Sequence, residues 1–232
     1  MSDQQPVEFS MLLASSVHDV KNSLAMLIQS LEQLVEEDTS DERKSKYSIL
    51  RGEASRINHT LIHLLGMYRL QTERLTVNLQ EVYVTDFLEE QVASQQLLFD
   101  VNNISVVVDC DEDLTAFFDE NLVAGIISNV LVNDAKYTKD SIRIEAKPTK
   151  SGGICIDVID NGDGFPDSII ESTQSDTIDH SARGIDFSSG STNLGLYFAQ
   201  QIASLHQNKG TQGTIQLSNT ESGGGKFTLR LP

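Results

Sequence analysis

Cysteine is scarce in this chain: 2 in 232 residues, Cys110 and Cys155, far apart and outside any C-x-x-C pattern. That usage argues against a disulfide framework and fits thiols kept reduced. Positive charge is scarce as well. Lys and Arg total 17 against 34 Asp and Glu, a formal net charge of -17. Binding along a phosphate backbone needs clustered cations, so nucleic acid is not expected as a partner, and an anionic membrane surface is disfavoured too. If the ligand is anionic, local cations and a metal must overcome the background field. No run approaches the ~18 apolar residues of a membrane span, and no basic-then-apolar signal opens the chain. A soluble, cytoplasmic protein is therefore expected. There is no internal repeat of fixed period, and no GxxxxGK[ST], which excludes a P-loop by motif.

What is present is an ordinary globular composition, 39% apolar, at a length that suits one large or two modest domains. Leu13, Val17, Val20, Leu24, Leu27, Leu31 and Leu34 alternate at steps of four and three, which predicts a bundle helix from Phe9 to Glu36. Thr39, Ser40 and Asp41 are capping residues. A second helix follows from Glu42 to Glu73, with Leu50, Ala54, Ile57, Leu61, Leu64 and Tyr68 on its seam. Together these form an antiparallel helical hairpin, residues 1–76. Two helices bury one seam poorly, so a homodimer making a four-helix bundle is the economical solution.

Residues 77–232 change to short strands alternating with helices. Strands are predicted at ISVVVD, TAFFD, SIRIEAKP, GICIDVID, TIQLSN and KFTLRL, and a strand and helix within VYVTDFLEEQVASQQLLF. Further helices are predicted at ENLVAGIISNVLVNDAKYT and NLGLYFAQQIASLH, the latter with Leu194, Phe198, Ile202 and Leu205 inward. Residues 161–193 read as a long loop, a functional lid or a disordered segment. The fold class is α+β, the second part a sandwich with helices on one face of a mixed sheet.

Four segments carry chemistry. His18 falls just off the first apolar seam, with Asp19 beside it and Asn22 one turn above. Such a histidine is either arranged to react or an idle surface residue. Asn129, Asn133, Lys136 and Tyr137 share one helical stripe bordering Val123, Ile126, Ile127, Val130 and Leu131. That row suits a polyphosphate, a metal and a flat base, or is simply a polar outer face. Asp160 has the strand parity of Ile154, Ile156 and Val158, so a covered face would carry its carboxylate inward, where it needs donors. The NGDG that follows permits close backbone approach, or is a plain turn. Gly190, Asn193 and Gly195 precede a helix whose free N–H groups would favour phosphate, or form a capping loop.

HDVKN on a bundle helix, then NVLVNDAKYT, DNGDGF and NLGL in that order, resembles a two-component sensor histidine kinase over essentially the whole chain. The resemblance implies a dimerisation and histidine-phosphotransfer hairpin followed by a GHKL (Bergerat) ATP-binding domain, with ATP and Mg2+ as cofactors. It implies His18 as phosphoacceptor, Asp19 as its orienting acid, and Asn22 as the holder of a water that dephosphorylates the partner. Asn133 would coordinate magnesium, with Asn129 beside it, Lys136 on phosphate and Tyr137 packed on the nucleotide. Asp160 would bind the adenine amino group, with Gly162 and Gly164 shaping the turn. Gly190, Leu194, Gly195 and Leu196 would bound the phosphate end of the lid. The implied activity is autophosphorylation of His18 and transfer to an aspartate of a response-regulator receiver domain, under control of an upstream sensory partner. The alternatives are a phosphotransfer scaffold with a degenerate nucleotide domain, or a regulator acting mainly as a phosphatase. The chain departs from the family pattern at Ser23, where many relatives carry proline, and at Ser191 and Asn193, which replace glycines. It departs again at Asp134, which replaces alanine and would assist the metal or face solvent.

Overall fold

The structure, a computed structural model, describes residues 76–174 and 192–232, together with four single helical positions, Val20, Leu50, Ala54 and Ile57. Two compact units divide the chain, Met1–Leu75 and Thr76–Pro232. In the first unit Ala54 is buried, whereas Val20, Leu50 and Ile57 are exposed. The rest of the expected hairpin, including His18, Asp19 and Asn22, lies outside the described residues, and so does Gly190.

The second unit starts with β1 (Gln80–Tyr83), which pairs antiparallel with β3 (Thr115–Phe118) as a small separate sheet. Between them lie α1 (Val84–Ser94), α2 (Gln96–Asn102) and β2 (Ser105–Asp109). One helix was expected over the first of these segments. It is interrupted at Gln95, whose φ of -109° and ψ of 5° fall in the sparsely allowed bridge region. Asn103 then ends α2 in the left-handed conformation that Asn tolerates.

Helix α3 (Glu120–Tyr137) is the central helix. Its N-cap is Asp119, whose carboxylate accepts from the Leu122 N–H at 3.1 Å and from the Asn78 N–H at 2.8 Å. The Asp119 N–H in turn donates to the buried His206 ring at 3.1 Å. Val123, Ile126, Ile127, Val130 and Leu131 are all buried, as the helical period of the sequence requires.

The main sheet has five strands in the order β2-β4-β5-β9-β8. Here β4 is Ser141–Pro148, β5 Ile154–Asp160, β8 Thr214–Asn219 and β9 Gly225–Leu231. A further short hairpin is β6 (Gln207–Asn208) with β7 (Thr211–Gln212), which the sequence did not signal. Strands β2 and β4 are parallel and the other pairs antiparallel, so the sheet is mixed. Alternation sets the covered face. Ile142, Ile144 and Ala146 of β4 oppose Asp160, Val158 and Ile156 of β5, and Val158 and Ile156 oppose Phe227 and Leu229 of β9. All of these are buried. Helix α4 (Asp167–Gln174) stands inside the segment expected to be loop, and α5 (Thr192–Leu205) brings buried Phe198 and Ile202 to the core.

Two neighbouring phenylalanines on β3 separate core from surface. Phe118 is fully buried and meets Phe87 edge to face at 5.2 Å between centroids, whereas Phe117 is 62% exposed. Phe118→Ala is expected to lower stability by about 3–5 kcal/mol in urea unfolding, and Phe117→Ala by less than about 0.5 kcal/mol. Equal effects would contradict this placement.

Candidate functional site

A cleft of about 770 Å³, including space open to solvent, lies beside the C-terminal half of α3. Val130, Asn133, Asp134 and Tyr137 of that helix form one wall. Asp160 at the end of β5, the loop residues Gly164, Phe165 and Pro166, and Ile169 of α4 form another. Leu196 of α5, Leu217 of β8 and Phe227 of β9 complete it. The lining is thus mainly apolar, with a few polar groups converging, as small-molecule sites are built.

Asp160 ends the covered face of β5 and is 9% exposed. Its Oδ1 accepts from the Gly162 N–H at 2.6 Å, and among the described residues no hydrogen bond reaches Oδ2. A buried carboxylate with an acceptor to spare suits a ligand bearing an amino group. The loop beyond it is held by two asparagines. Asn161 Oδ1 accepts from the Thr138 hydroxyl at 2.8 Å and from the Lys139, Asp140 and Ser141 N–H groups at 3.2 Å each, tying the end of α3 to the end of β5. Asn219 Oδ1 accepts from the Phe165 N–H at 2.7 Å and its Nδ2 donates to the Phe165 carbonyl at 2.9 Å, which fixes that ring at the cleft. Neither asparagine was singled out from the sequence. The signal available was that Asn161 lies inside DNGDG, among glycines to which the turn was credited. Gly164 does need its glycine: φ is +79°, a left-handed conformation.

Asp134 neither faces solvent nor is peripheral. It is 6% exposed and lines the cleft. Burial pushes its carboxyl well above the usual carboxylate range, and the neighbouring Asp160 charge adds to the rise. The solvent-facing option for this residue is thereby corrected: α3 packs against both the sheet and α5.

The expected polar stripe is divided between environments. Asn133 is half-buried at the cleft and Tyr137, although 60% exposed, lines it. Asn129 is instead buried under α5, where Gly195 comes so close that a Cβ would strike the Asn129 amide. Lys136 is exposed and is not part of the cleft wall. Leu196 is half-buried and lines the cleft, and Gly162 supplies its N–H to Asp160.

Among the described residues no group of three His, Cys, Asp or Glu side chains could hold a metal ion. Mg2+, however, keeps several waters and phosphate oxygens, so the side-chain oxygen of Asn133 fits an ion that arrives on a polyphosphate. Among the described residues no helix is long and apolar enough to cross a membrane.

The Asp134 shift sets a pH dependence. A carboxyl whose pKa is raised on folding holds its proton more tightly in the folded state, so it costs stability as pH climbs from the unfolded value, about 3.9, through the raised one. Asp134→Asn is therefore expected to melt above the wild type at neutral pH, with the gap closing toward about pH 4. A gap of one size at every pH would contradict the buried acid.

Residues 118–232 match the family of histidine kinase-, DNA gyrase B- and HSP90-like ATPases. Over 241 residues the chain is 24% identical to the adaptive-response sensory kinase SasA of Synechocystis, covering 98% of this chain and 60% of that protein. It is 25% identical to the hybrid signal transduction histidine kinase D of Dictyostelium discoideum, covering 94% of this chain and 14% of that one. The chain thus spans only part of these relatives. Among solved structures, full-length ShkA in complex with AMPPNP superposes with a TM-score of 0.66 at 17% identity, over 96% of this chain and 45% of that one. The catalytic domain of the histidine kinase ThkA gives 0.53 at 20% identity, over 67% and 95%. With this family match at its C-terminal end and these relatives along nearly its whole length, residues 118–232 belong to the histidine kinase-, DNA gyrase B- and HSP90-like (GHKL) ATPases, and the chain as a whole is similar to sensor histidine kinases.

Proposed function

We propose that the chain binds ATP-Mg in the cleft beside α3, phosphorylates His18, and passes the phosphoryl group to an aspartate of a response-regulator receiver domain. One observation carries the nucleotide half of this reading: Asp160 is buried at the end of an apolar cleft with an oxygen left to accept from a ligand. Its carboxylate takes the amino group of the base, and Phe165, Ile169 and Leu217 surround the ring. Tyr137 packs at the mouth, and Asn133 offers its oxygen toward the phosphates. The magnesium ion supplies charge neutralisation for the transferring phosphoryl group. Lys136, exposed near the end of α3 and three residues on from Asn133, adds a cation outside the cleft wall.

His18 acts as a neutral imidazole. One ring nitrogen attacks the γ-phosphorus while the bond to the β,γ-bridging oxygen breaks and ADP leaves. Asp19 accepts from the other ring N–H and stabilises the positive ring that forms. Asn22, one turn along, holds the water for the reverse task of dephosphorylating the regulator. Val20, Leu50 and Ile57, about half exposed in the single chain, support a second copy as the other half of a four-helix bundle. Input arrives from an upstream sensory partner, and the setting is cytoplasmic.

Incubation with γ-labelled ATP-Mg tests this directly. An acid-labile label is expected, absent from His18→Ala, and Asp160→Asn is expected to weaken nucleotide binding about ten- to a hundredfold. A label that survives in His18→Ala contradicts the acceptor. Nucleotide binding and regulator dephosphorylation without self-labelling would favour the phosphatase reading instead.

A further inference from the structure

Phe165 and Ile169 bring the segment that follows Asp160 into the cleft wall, and Pro166 joins them, its carbonyl accepting from the Ile169 N–H at 2.9 Å in the first turn of α4. Among the described residues, one side chain ties the Phe165 backbone to the rest of the domain. Asn219, the last residue of β8, takes the Phe165 N–H on Oδ1 at 2.7 Å and donates from Nδ2 to the Phe165 carbonyl at 2.9 Å. Both bonds close on one residue, so the amide pairs Phe165 as a neighbouring strand would. The fit around this pairing is close. A Cβ on Gly164 would lie 2.7 Å from Asn219 Oδ1 and 2.7 Å from the Gly223 carbonyl oxygen, and a Cβ on Gly225 would lie 2.8 Å from the Phe165 ring. Asn219 itself is exposed and is not part of the cleft wall.

We propose that Asn219 is a positioning residue for the nucleotide: from the β8–β9 turn it holds Phe165 at the separation a flat base needs, and affinity depends on it although it does not line the cleft. This deepens the nucleotide reading and rests on it. A wall already in place binds more tightly than one the ligand must order. The chemistry requires an amide, because Phe165 presents one donor and one acceptor to the same side chain. An aspartate of equal size would keep the acceptor, lose the donor and turn an ionised oxygen toward the Phe165 carbonyl. Packing alone would tolerate that exchange; the clamp does not.

The test is calorimetry of ADP with Mg2+ on the full chain. Asn219→Ala and Asn219→Asp are each expected to weaken binding about fivefold, and Ser222→Ala, in the same turn, by less than about twofold. A second readout follows residue 165 itself. The chain has no tryptophan, so Phe165→Trp places a single emitter there. In that background Asn219→Ala is expected to lower its fluorescence anisotropy, and Ser222→Ala to leave it unchanged. Thermal melting confirms that each variant is folded, and should Asn219→Ala melt below the assay temperature, Asn219→Asp carries both comparisons. If wild type fails to bind ADP at all, the nucleotide reading falls and this inference with it. If ADP binds but the Asn219 variants stay within about twofold of wild type, the clamp alone is overturned. An equal loss in Ser222→Ala, or an unmoved anisotropy, overturns it as well.

Discussion

Asp160 occupies the last covered position of β5, where Ile154, Ile156 and Val158 have already placed three apolar side chains against the core. Strand parity turns its carboxylate inward, to the cleft rather than to the outer face of the sheet. Burying an uncompensated carboxylate costs several kcal/mol, so the structure around it is arranged to supply donors and room. The Gly162 N–H supplies one donor at 2.6 Å. The cleft supplies the room, and the Asn161 bridge holds the end of α3 beside it. Sheet register, helix placement and ligand chemistry therefore meet at one side chain.

The background charge frames how such a site takes an anion. With a formal net charge of -17, the chain repels polyphosphates at long range. The exposed ion pair of Lys139 with Asp163, 3.9 Å apart, does little to change that field. Affinity must come from short-range terms: apolar enclosure of a flat ring, a buried hydrogen bond at its edge, and a cation carried in with the phosphates. That division matches the lining, which is mainly apolar and carries its polar groups at Asn133, Asp134, Tyr137 and Asp160.

Much of this domain was legible in the sequence because its elements obey simple periods. The alternation in GICIDVID placed β5 and the inward side of Asp160, and the helical period of VAGIISNVL placed the buried face of α3. The rest depended on contacts that periodicity does not encode. Helix α4 was hidden because its 8 residues, DSIIESTQ, sit in a stretch otherwise rich in Gly, Ser and Asp. Asn161 looked like a turn residue, and its role became visible only once the end of α3 lay beside it. Asn129 and Asn133 share a stripe, but α5 approaches closely through Gly195 and covers the first while leaving the second at the cleft. Asp134 was judged as a polar residue on a one-sided helix, and α3 packs against both the sheet and α5.

The most direct measurement of the central claim is photolabelling with 8-azido-ATP followed by mass spectrometry of the adducts. The account predicts covalent attachment within residues 130–137 and 164–169, suppressed by excess ATP. Adducts scattered over the surface, or unaffected by competing ATP, would contradict a base held beside Asp160.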